Sequence, residues 1–240
     1  MNKNLVVIPT YNEKENIALI IDAVLSLPVL FDILVVDDNS PDGTADIVKE
    51  KILENDDRVF LECRLKKSGL GTAYVHGFKW ALNKAYDSVF EMDADFSHNP
   101  LDLVKLHDSL RKGADVAIGS RYSTGVNVVN WPLQRVLLSY FASWYVRVIT
   151  GMKIHDATAG FVAYRSSVLR TLDLDKVKFI GYAFQIEMKY RAYVAKFKIE
   201  EVPIIFTDRV RGQSKMSGSI IKEAVLGVIK LRIQKSLKTL

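Results

Sequence analysis

Short runs of apolar residues alternate with longer amphipathic segments through the first half of the chain. Residues 5–8, 33–36, 59–61, 89–92 and 116–118 have the length and the β-branched or aromatic content of buried strands. Between these runs, segments 13–26, 44–53 and 69–86 are predicted to be mainly helical. This alternation predicts an α/β domain with a mainly parallel central sheet flanked by helices.

The second half is less regular, but its segments are still distinct. The pattern predicts an amphipathic helix over 133–150, a strand over 161–164, a helix over 184–195 and a strand over 199–206 interrupted by Pro203. A polar, basic loop at 208–219 precedes a basic amphipathic helix over 219–240. With no linker visible, we expect one domain over 1–240, with halves at 1–120 and 121–218.

Three polar clusters directly follow predicted strands, at residues 9–13, 37–43 and 93–98. Ligands of open parallel sheets bind beyond the carboxyl ends of the strands. Asp93 and Asp95 supply two carboxylates there, which are ligands that suit a hard cation such as Mg²⁺ or Mn²⁺. An Asp-x-Asp pair alone is equally compatible with two solvated loop residues, but its position beside two other polar strand ends favours a metal site. Asp38 is expected to accept hydrogen bonds from a base or ribose, and Asp42 to stabilise a turn.

The charge of the chain narrows the class of partner. Its 240 residues carry a formal net charge of +5, which favours a nucleic acid, an anionic membrane or a phosphorylated small molecule. The acidic clusters at the strand ends would repel a phosphate backbone, so we expect no nucleic acid partner. Cys63 is the one cysteine and forms no intrachain disulfide, which is consistent with a reducing compartment.

Two basic amphipathic segments bear on membrane contact. No apolar run approaches the roughly 20 residues that a membrane-spanning helix needs. The helices predicted over 133–150 and 219–240 could lie in a membrane interface or turn their apolar sides to the protein core, and the sequence leaves both open. We expect a chain that associates peripherally with the cytoplasmic face of a membrane.

The motif series resembles a known enzyme family. It begins with Pro-Thr-Tyr-Asn-Glu at 9–13, Val-Asp-Asp-Asn-Ser-Pro-Asp-Gly-Thr at 36–44 and Met-Asp-Ala-Asp-Phe-Ser-His at 92–98. It continues with Gly-Ser-Arg-Tyr at 119–122, Asn-Trp-Pro at 130–132, Asp-Ala-Thr-Ala-Gly-Phe at 156–161 and Asp-Arg-Val-Arg-Gly-Gln-Ser-Lys at 208–215. This ordered set resembles glycosyltransferase family 2, with its GT-A fold, and more narrowly the dolichyl- and polyprenyl-phosphate mannosyltransferases.

The resemblance implies a reaction and a set of roles. The reaction would be transfer of mannose from GDP-mannose to dolichyl or another polyprenyl phosphate, with Mg²⁺ or Mn²⁺ and inversion of configuration. A small membrane subunit is a further partner that the resemblance suggests. The implied nucleotide-sugar site comprises Pro9, Tyr11, Glu13, Val36, Asp38, Asp93, Ala94, Asp95, Arg209 and Lys215. The implied catalytic residues are Asp93, Asp95 and Arg209, the metal ligands Asp93 and Asp95, and the acceptor-phosphate ligands Arg121, Arg135 and Ser139.

A phosphate acceptor changes what catalysis requires. Its second pKa of about 6 leaves it largely dianionic at pH 7. Such an oxygen needs no general base, so the work is to position it and to stabilise the leaving diphosphate. The resemblance places Arg209, Ser214 and Lys215 in a loop that closes over that diphosphate.

Several alternatives stay open from the sequence. Gln185 and Glu187 would either contact sugar hydroxyls or occupy outward helix positions. His76 and His98 are interpreted as structural hydrogen-bonding residues rather than as acids or bases. A related enzyme with UDP-glucose or another nucleotide sugar, and a non-catalytic nucleotide-binding module, are the competing functions.

Overall fold

A computed structural model describes residues 3–55, 57–181, 183–208 and 218–236, with side chains for all of these except 218–224 and 235–236. The strands are β1 (Asn4–Thr10), β2 (Asp32–Asp37), β3 (Val59–Cys63), β4 (Ser88–Glu91), β5 (Val116–Ser120), β6 (Val128–Val129), β7 (Val162–Arg165), β8 (Ile199–Pro203) and β9 (Phe206–Thr207). The helices are α1 (Ile17–Leu25), α2 (Thr44–Glu54), α3 (Leu70–Asn83), α4 (Asp102–Arg111), α5 (Leu133–Thr150), α6 (Ser166–Thr171), α7 (Ala183–Val194) and α8 (Gly218–Ser236), with a 3₁₀ turn at Leu174–Lys176.

The central sheet confirms the predicted mainly parallel architecture. Among the described residues it has seven strands in the order β3-β2-β1-β4-β7-β5-β8. Strand β7 runs antiparallel to both of its neighbours, and the other pairs are parallel. The chain leaves β1 towards β2 and β3 and then returns to β4 on the other side of β1. This reversal forms a crevice at the carboxyl ends of β1 and β4, where doubly wound folds bind their ligands.

Helices cover both faces of the sheet, which explains why its strands are apolar throughout. Leu5 and Val7 face a core that includes Tyr74 and Phe78 of α3. The alternate positions of β1 face a second core built with α1 and α4. Gly77 lets α3 approach the sheet, because a Cβ atom there would lie 2.5 Å from a methyl group of Val7.

Some predicted boundaries were wrong for identifiable reasons. The first helix begins at Ile17 rather than near residue 13, because the preceding backbone binds the start of α2: the amide of Glu13 donates to Thr44 Oγ1 at 3.0 Å. The strand predicted over 199–206 is two strands, since β8 ends at Pro203 and β9 pairs with β6 in a separate small sheet. The sequence pattern did not predict β6 or α6.

Helices α5 and α8 pack together and leave large apolar side chains in solvent. On α5, Ser143, Val146 and Thr150 are buried. The large apolar side chains exposed on this helix, by 44–71%, are Leu133, Leu137, Leu138, Tyr140, Phe141, Trp144 and Val148. On α8, Val228 and Leu231 are buried and Leu226 and Ile233 exposed. Each of these two helices therefore turns some apolar side chains into the core and leaves others on the surface. None of the described helices is long and apolar enough to cross a membrane.

Candidate active site

The loops that follow β1 and β2 are joined by a buried carboxylate. Asp37 Oδ1 accepts hydrogen bonds from Thr10 Oγ1 at 2.8 Å and from Ser40 Oγ at 2.6 Å, and its other oxygen accepts from the Ser40 amide. Asn12 and Asn39 take positive φ angles of 58° and 57° in these loops, which asparagine tolerates better than most residues. Asp37 therefore holds the two strand ends together.

Asp38 is the next residue, and its carboxylate is held by a residue that the sequence did not point to. The guanidinium of Arg64 donates to Asp38 Oδ1 at 2.5 Å and to Thr72 Oγ1 at 2.7 Å. The Ser68 amide donates to the other oxygen at 3.3 Å. Arg64 lies in a polar segment without a distinctive motif, so only its contact with Asp38 identifies it as a residue of the site.

The structure brings most of the implied nucleoside-binding residues to one edge of the sheet. Pro9 and Val36 are direct neighbours in the β1–β2 register, and the Asp38 amide donates to the carbonyl of Thr10 at 3.0 Å. Tyr11 lies half-buried, with Lys67 Nζ 4.3 Å from its ring centroid. Glu13 lies at the far end of the same loop and accepts from Asn16 Nδ2 at 3.1 Å.

Asp93 and Asp95 lie at the crevice, but not in an extended strand. Strand β4 ends at Glu91, and residues 94–95 form a turn. The two carboxylates therefore do not point to the same side as residues i and i+2 of an extended strand would. Asp95 is buried and accepts from the Ser97 amide at 3.0 Å, whereas the side chain of Asp93 is 38% exposed. Ala94 is buried between them.

The donor set at this turn fits a hard divalent cation. Carboxylate oxygens suit Mg²⁺ and Mn²⁺, which commonly take substrate phosphates and water as further ligands. Among the described residues, no group of three or more His, Cys, Asp or Glu side chains is arranged to hold a metal. Asp93 and Asp95 would therefore share the ion with a bound diphosphate.

His98 closes the same loop as a buried, neutral ring. It stacks on Phe161 with ring centroids 4.8 Å apart and meets Phe206 edge-on at 5.2 Å. Burial lowers the pKa of His98 to about 4, so the imidazole carries no charge at pH 7. His76, by contrast, lies half-exposed on α3 and contacts Glu62. His76 thus fits the interpretation as a structural hydrogen-bonding residue, whereas His98 is held by ring stacking and its buried Nδ1 has no hydrogen-bond partner among the described residues.

His98 should make the fold sensitive to acid. Its pKa is near 6.5 when exposed and about 4 when folded, so the unfolded state binds the proton more readily. Stability is therefore lost as the pH falls from 6.5 to 4, by up to about 3 kcal/mol. His98→Phe keeps an aromatic ring on Phe161, and its free energy of unfolding should fall correspondingly less over this range. Urea denaturation with EDTA at both pH values measures this, and identical acid profiles for the two proteins would contradict it.

A buried polar layer lies behind the crevice. Gln185 Nε2 donates to Glu91 Oε2 at 2.7 Å, and Lys189 Nζ donates to the carbonyls of Ala159 and Gln185 at 2.5 and 3.1 Å. Burial raises the pKa of Glu91 to about 8, against the opposing charge of Lys189, and lowers the pKa of Lys189 to about 8. The sequence signal for Glu91 is a charged residue inside an otherwise apolar strand.

The outward alternative for Gln185 and Glu187 was wrong, because both side chains are fully buried. Glu187 Oε2 accepts the amides of Lys178 and Phe179 at 3.0 Å each, while its other oxygen pairs with Arg191. Glu187 therefore fixes the loop that precedes α7.

Arg121 lies at the base of the predicted acceptor side. Its guanidinium forms a two-point pair with the buried Asp156, at 2.7 and 2.6 Å, and donates to Thr158 Oγ1 at 2.9 Å. The rings of Tyr122, Trp131 and Phe206 surround it at centroid distances of 5.2–5.6 Å. Much of its charge is thus balanced within the protein, and Arg121 organises the aromatic residues around it.

Arg135 and Ser139 stand beside this cluster on α5. The guanidinium of Arg135 lies 4.0 Å from the Trp131 ring centroid, and its Nη1 donates to Asp208 Oδ1 at 2.8 Å. Ser139 lies near the hydroxyl of Tyr122, without a hydrogen bond between them. The structure therefore brings Arg121, Arg135 and Ser139 together through their shared aromatic neighbours.

The small sheet links the predicted acceptor side to the loop that follows β4. The amide of Thr207 in β9 donates to the carbonyl of Ser97 at 3.3 Å, and the amide of Asp208 donates to that of Val129 at 3.1 Å. The next residues along the chain include Arg209, Ser214 and Lys215, and these predicted diphosphate ligands lie outside the described residues.

Comparisons with known proteins agree on the class of this protein. Residues 5–173 match the model of the family described as "Glycosyl transferase family 2". Polyprenol monophosphomannose synthase of Mycolicibacterium smegmatis is 50% identical over 226 residues, which cover 94% of this chain and 85% of the relative. Undecaprenyl-phosphate mannosyltransferase of Micrococcus luteus is 45% identical over 224 residues, covering 93% and 91%.

Solved structures of lower sequence similarity share the fold. Glucosyl-3-phosphoglycerate synthase from Mycobacterium tuberculosis, in complex with Mn²⁺, UDP and glucosyl-3-phosphoglycerate, superposes with a TM-score of 0.66 at 18% identity. The match covers 98% of this chain and 79% of that one. Its complex with Mg²⁺ and UDP gives a TM-score of 0.67 at 17% identity, with the same coverage. At this level of identity the similarity shows a common GT-A-like architecture.

Proposed function

Since the chain belongs to glycosyl transferase family 2 and is a glycosyltransferase, we propose that it transfers mannose from GDP-mannose to a polyprenyl phosphate, dolichyl phosphate included. The observation that carries this is the 50% and 45% identity, over more than nine-tenths of the chain, to two relatives whose names denote this transfer. We assign the carboxylates of Asp93 and Asp95 to Mg²⁺ or Mn²⁺ and to the donor diphosphate.

The geometry supports a direct displacement. Arg135, supported by Trp131, would hold the acceptor phosphate, and the Arg121–Asp156 pair would position the surrounding rings. One phosphate oxygen forms the new bond to the anomeric carbon while the bond to the nucleoside diphosphate breaks, which inverts the configuration. The cation, when bound, would offset the charge that develops on the leaving diphosphate. Because the attacking oxygen is already ionised, neutral His98 need not accept a proton.

A donor screen tests this function directly. The chain is incubated with a polyprenyl phosphate, Mg²⁺ or Mn²⁺, and either GDP-mannose or UDP-glucose, and the lipid product is identified by mass. We expect mannosyl lipid from GDP-mannose, no product with EDTA, and recovery when the metal is restored. Product from UDP-glucose alone would reject the donor assignment. Nucleotide binding without turnover of any donor would identify a non-catalytic module instead.

We also propose that the exposed apolar stripe of α5 rests on the cytoplasmic face of a membrane. Leu137 and Phe141 are on this stripe and about half exposed, while Arg135 on the same helix turns towards the acceptor side. This arrangement would keep the polyprenyl chain in lipid while its phosphate reaches the site. The exposed apolar side chains of α8 extend the same surface, because α8 packs against α5. The alternative is that a small membrane subunit binds to this surface and covers it.

Leu137→Ser combined with Phe141→Ser should weaken binding to protein-free vesicles about 30-fold, because the two side chains together lose about 2 kcal/mol of apolar burial. The melting temperature should change little, since neither side chain packs into the core. Leu30→Ser with Leu53→Ser is the matched control, because both leucines are exposed but lie away from α5. Vesicle flotation measures the difference. An equal loss in both double variants would reject the docking surface, and absence of wild-type binding would favour the subunit.

A further inference from the structure

The carboxyl-terminal end of α5 borders an open cleft that is separate from the candidate active site. The cleft has a volume of about 390 Å³ and is lined by Trp144, Arg147, Val148, Met152, Lys153 and His155. Small-molecule pockets typically range from about 300 to 1,000 Å³, so the space suits a compact ligand. Arg135 is twelve residues from Arg147 on the same helix, or about 18 Å along its axis, so one phosphate cannot contact both.

The cleft carries positive charge that the protein does not balance. Within the described part of the chain, Arg147 and Lys153 form no ion pair, and Arg147 Nε is buried without a hydrogen-bond partner. The Glu201 carboxylate beside the cleft is engaged elsewhere, because it lies 2.8 Å from His155 Nδ1 and accepts hydrogen bonds from the backbone amides of His155 and Asp156. The end of the helix contributes only about half a negative charge. Two cations therefore remain for an anionic ligand.

The cleft also opens onto apolar surface. Trp144 and Val148 line it, are 51% and 60% exposed, and belong to the exposed stripe of α5. Arg147 lies three residues after Trp144 and next to Val148, so its guanidinium stands at the border of that stripe. Paired donors of arginine match the geometry of a phosphate group. Cations at the edge of an apolar helix face are the arrangement that receives an anionic headgroup with its acyl chains alongside.

We propose that this cleft binds the phosphate headgroup of one anionic phospholipid, distinct from the polyprenyl phosphate that reacts. The bound lipid would hold the carboxyl-terminal end of α5 on the bilayer, while the amino-terminal half receives the acceptor. This inference goes beyond sugar transfer and shares with it only the orientation of α5 towards a membrane.

The test is a calorimetric titration of the whole chain with dihexanoyl phosphatidylglycerol below its micelle concentration, without sugar donor. We expect saturable one-to-one binding, and binding of dihexanoyl phosphatidylcholine at least about tenfold weaker. Arg147→Gln with Lys153→Gln should lower the phosphatidylglycerol affinity by about fivefold for each cation removed. Lys84→Gln with Lys112→Gln is the matched control, because these lysines also follow helix ends, of α3 and α4, and precede the amino-terminal ends of β4 and β5.

Three results would overturn the assignment. Equal affinity for the two lipids would show that the charge is not recognised. Inorganic phosphate binding as tightly as the lipid would show a phosphate site without lipid character. Loss of binding in Arg135→Gln, with binding kept in the Arg147 and Lys153 double variant, would place the lipid in the acceptor site.

Two control experiments separate lipid binding from unfolding and from the transfer reaction. Lys153→Gln alone changes an exposed side chain, and a several-fold loss of affinity in this variant supports the site even if the double variant unfolds. Normal phosphatidylglycerol binding by a wild-type chain that transferred no mannose would reject the reaction and leave the lipid site standing.

Discussion

Replacing Asp95 by asparagine is expected to lower kcat for mannosyl transfer about a thousandfold without unfolding the protein. The asparagine keeps an oxygen that accepts a hydrogen bond from the Ser97 amide, so the turn after β4 should be preserved. It removes the negative charge that would hold the cation beside the departing diphosphate. Loss of one strong stabilising group at a reacting centre typically costs about 10²–10³ in rate, and a metal contributes several kcal/mol.

Two matched aspartates make this result specific. Asp93→Asn should lower kcat less, because its side chain is more exposed and is expected to share its contacts between metal and nucleotide. Asp46→Asn, on the exposed side of α2, should leave kcat unchanged. Turnover and Mn²⁺ binding in the presence of GDP are measured together. Near-normal turnover of Asp95→Asn at saturating Mg²⁺ or Mn²⁺ would reject the metal assignment.

The second large effect is expected at the acceptor. Arg135→Gln should raise KM for the polyprenyl phosphate about 100-fold and leave the affinity for GDP-mannose within about twofold, because removing one partner of a close charge pair costs about 2–5 kcal/mol. Arg135 is a better target than Arg121. Loss of Arg121 would leave the fully buried Asp156 without its partner, which destabilises a fold by about 3–5 kcal/mol.

Two further arginine variants complete the test: one separates the charge of Arg135 from its geometry, and the other is a control for the loss of a surface cation. Arg135→Lys keeps the charge but loses the planar contact with Trp131, and should fall between the wild type and Arg135→Gln. Arg170→Gln removes an exposed cation on α6 and should leave both constants unchanged. Steady-state kinetics at varied acceptor and fixed donor give the comparison. A change confined to the donor would contradict the role of Arg135 in holding the acceptor.

Much of the fold was predictable because it is encoded in short stretches of chain. The apolar runs of β1, β2 and β5 identify strands buried on both faces, and the bounds of α5 agree with its amphipathic spacing. The direction of β7 was not predictable, since an apolar run of four residues pairs equally well in either sense. Strands β6 and β9 have two residues each, which is too short for any periodicity.

The contacts around the candidate site could not be predicted from the sequence, for a different reason. The Asp38–Arg64, Arg121–Asp156 and Glu91–Gln185 contacts join residues 26, 35 and 94 positions apart. Local spacing contains no information about such pairs.

The sequence alone specifies which chemical groups are available: oxygen ligands after β4, polar strand ends beside them, and cations in the second half. These are properties of residue type and local spacing. Which charges remain for a ligand depends on the three-dimensional fold, because ion pairs form between residues that are distant in the chain. Asp156 pairs with Arg121, whereas Arg147 and Lys153 have no ion-pair partner among the described residues. The fold also determines that much of the apolar side of α5 faces outward, since amphipathic spacing defines a stripe but not the surface that covers it.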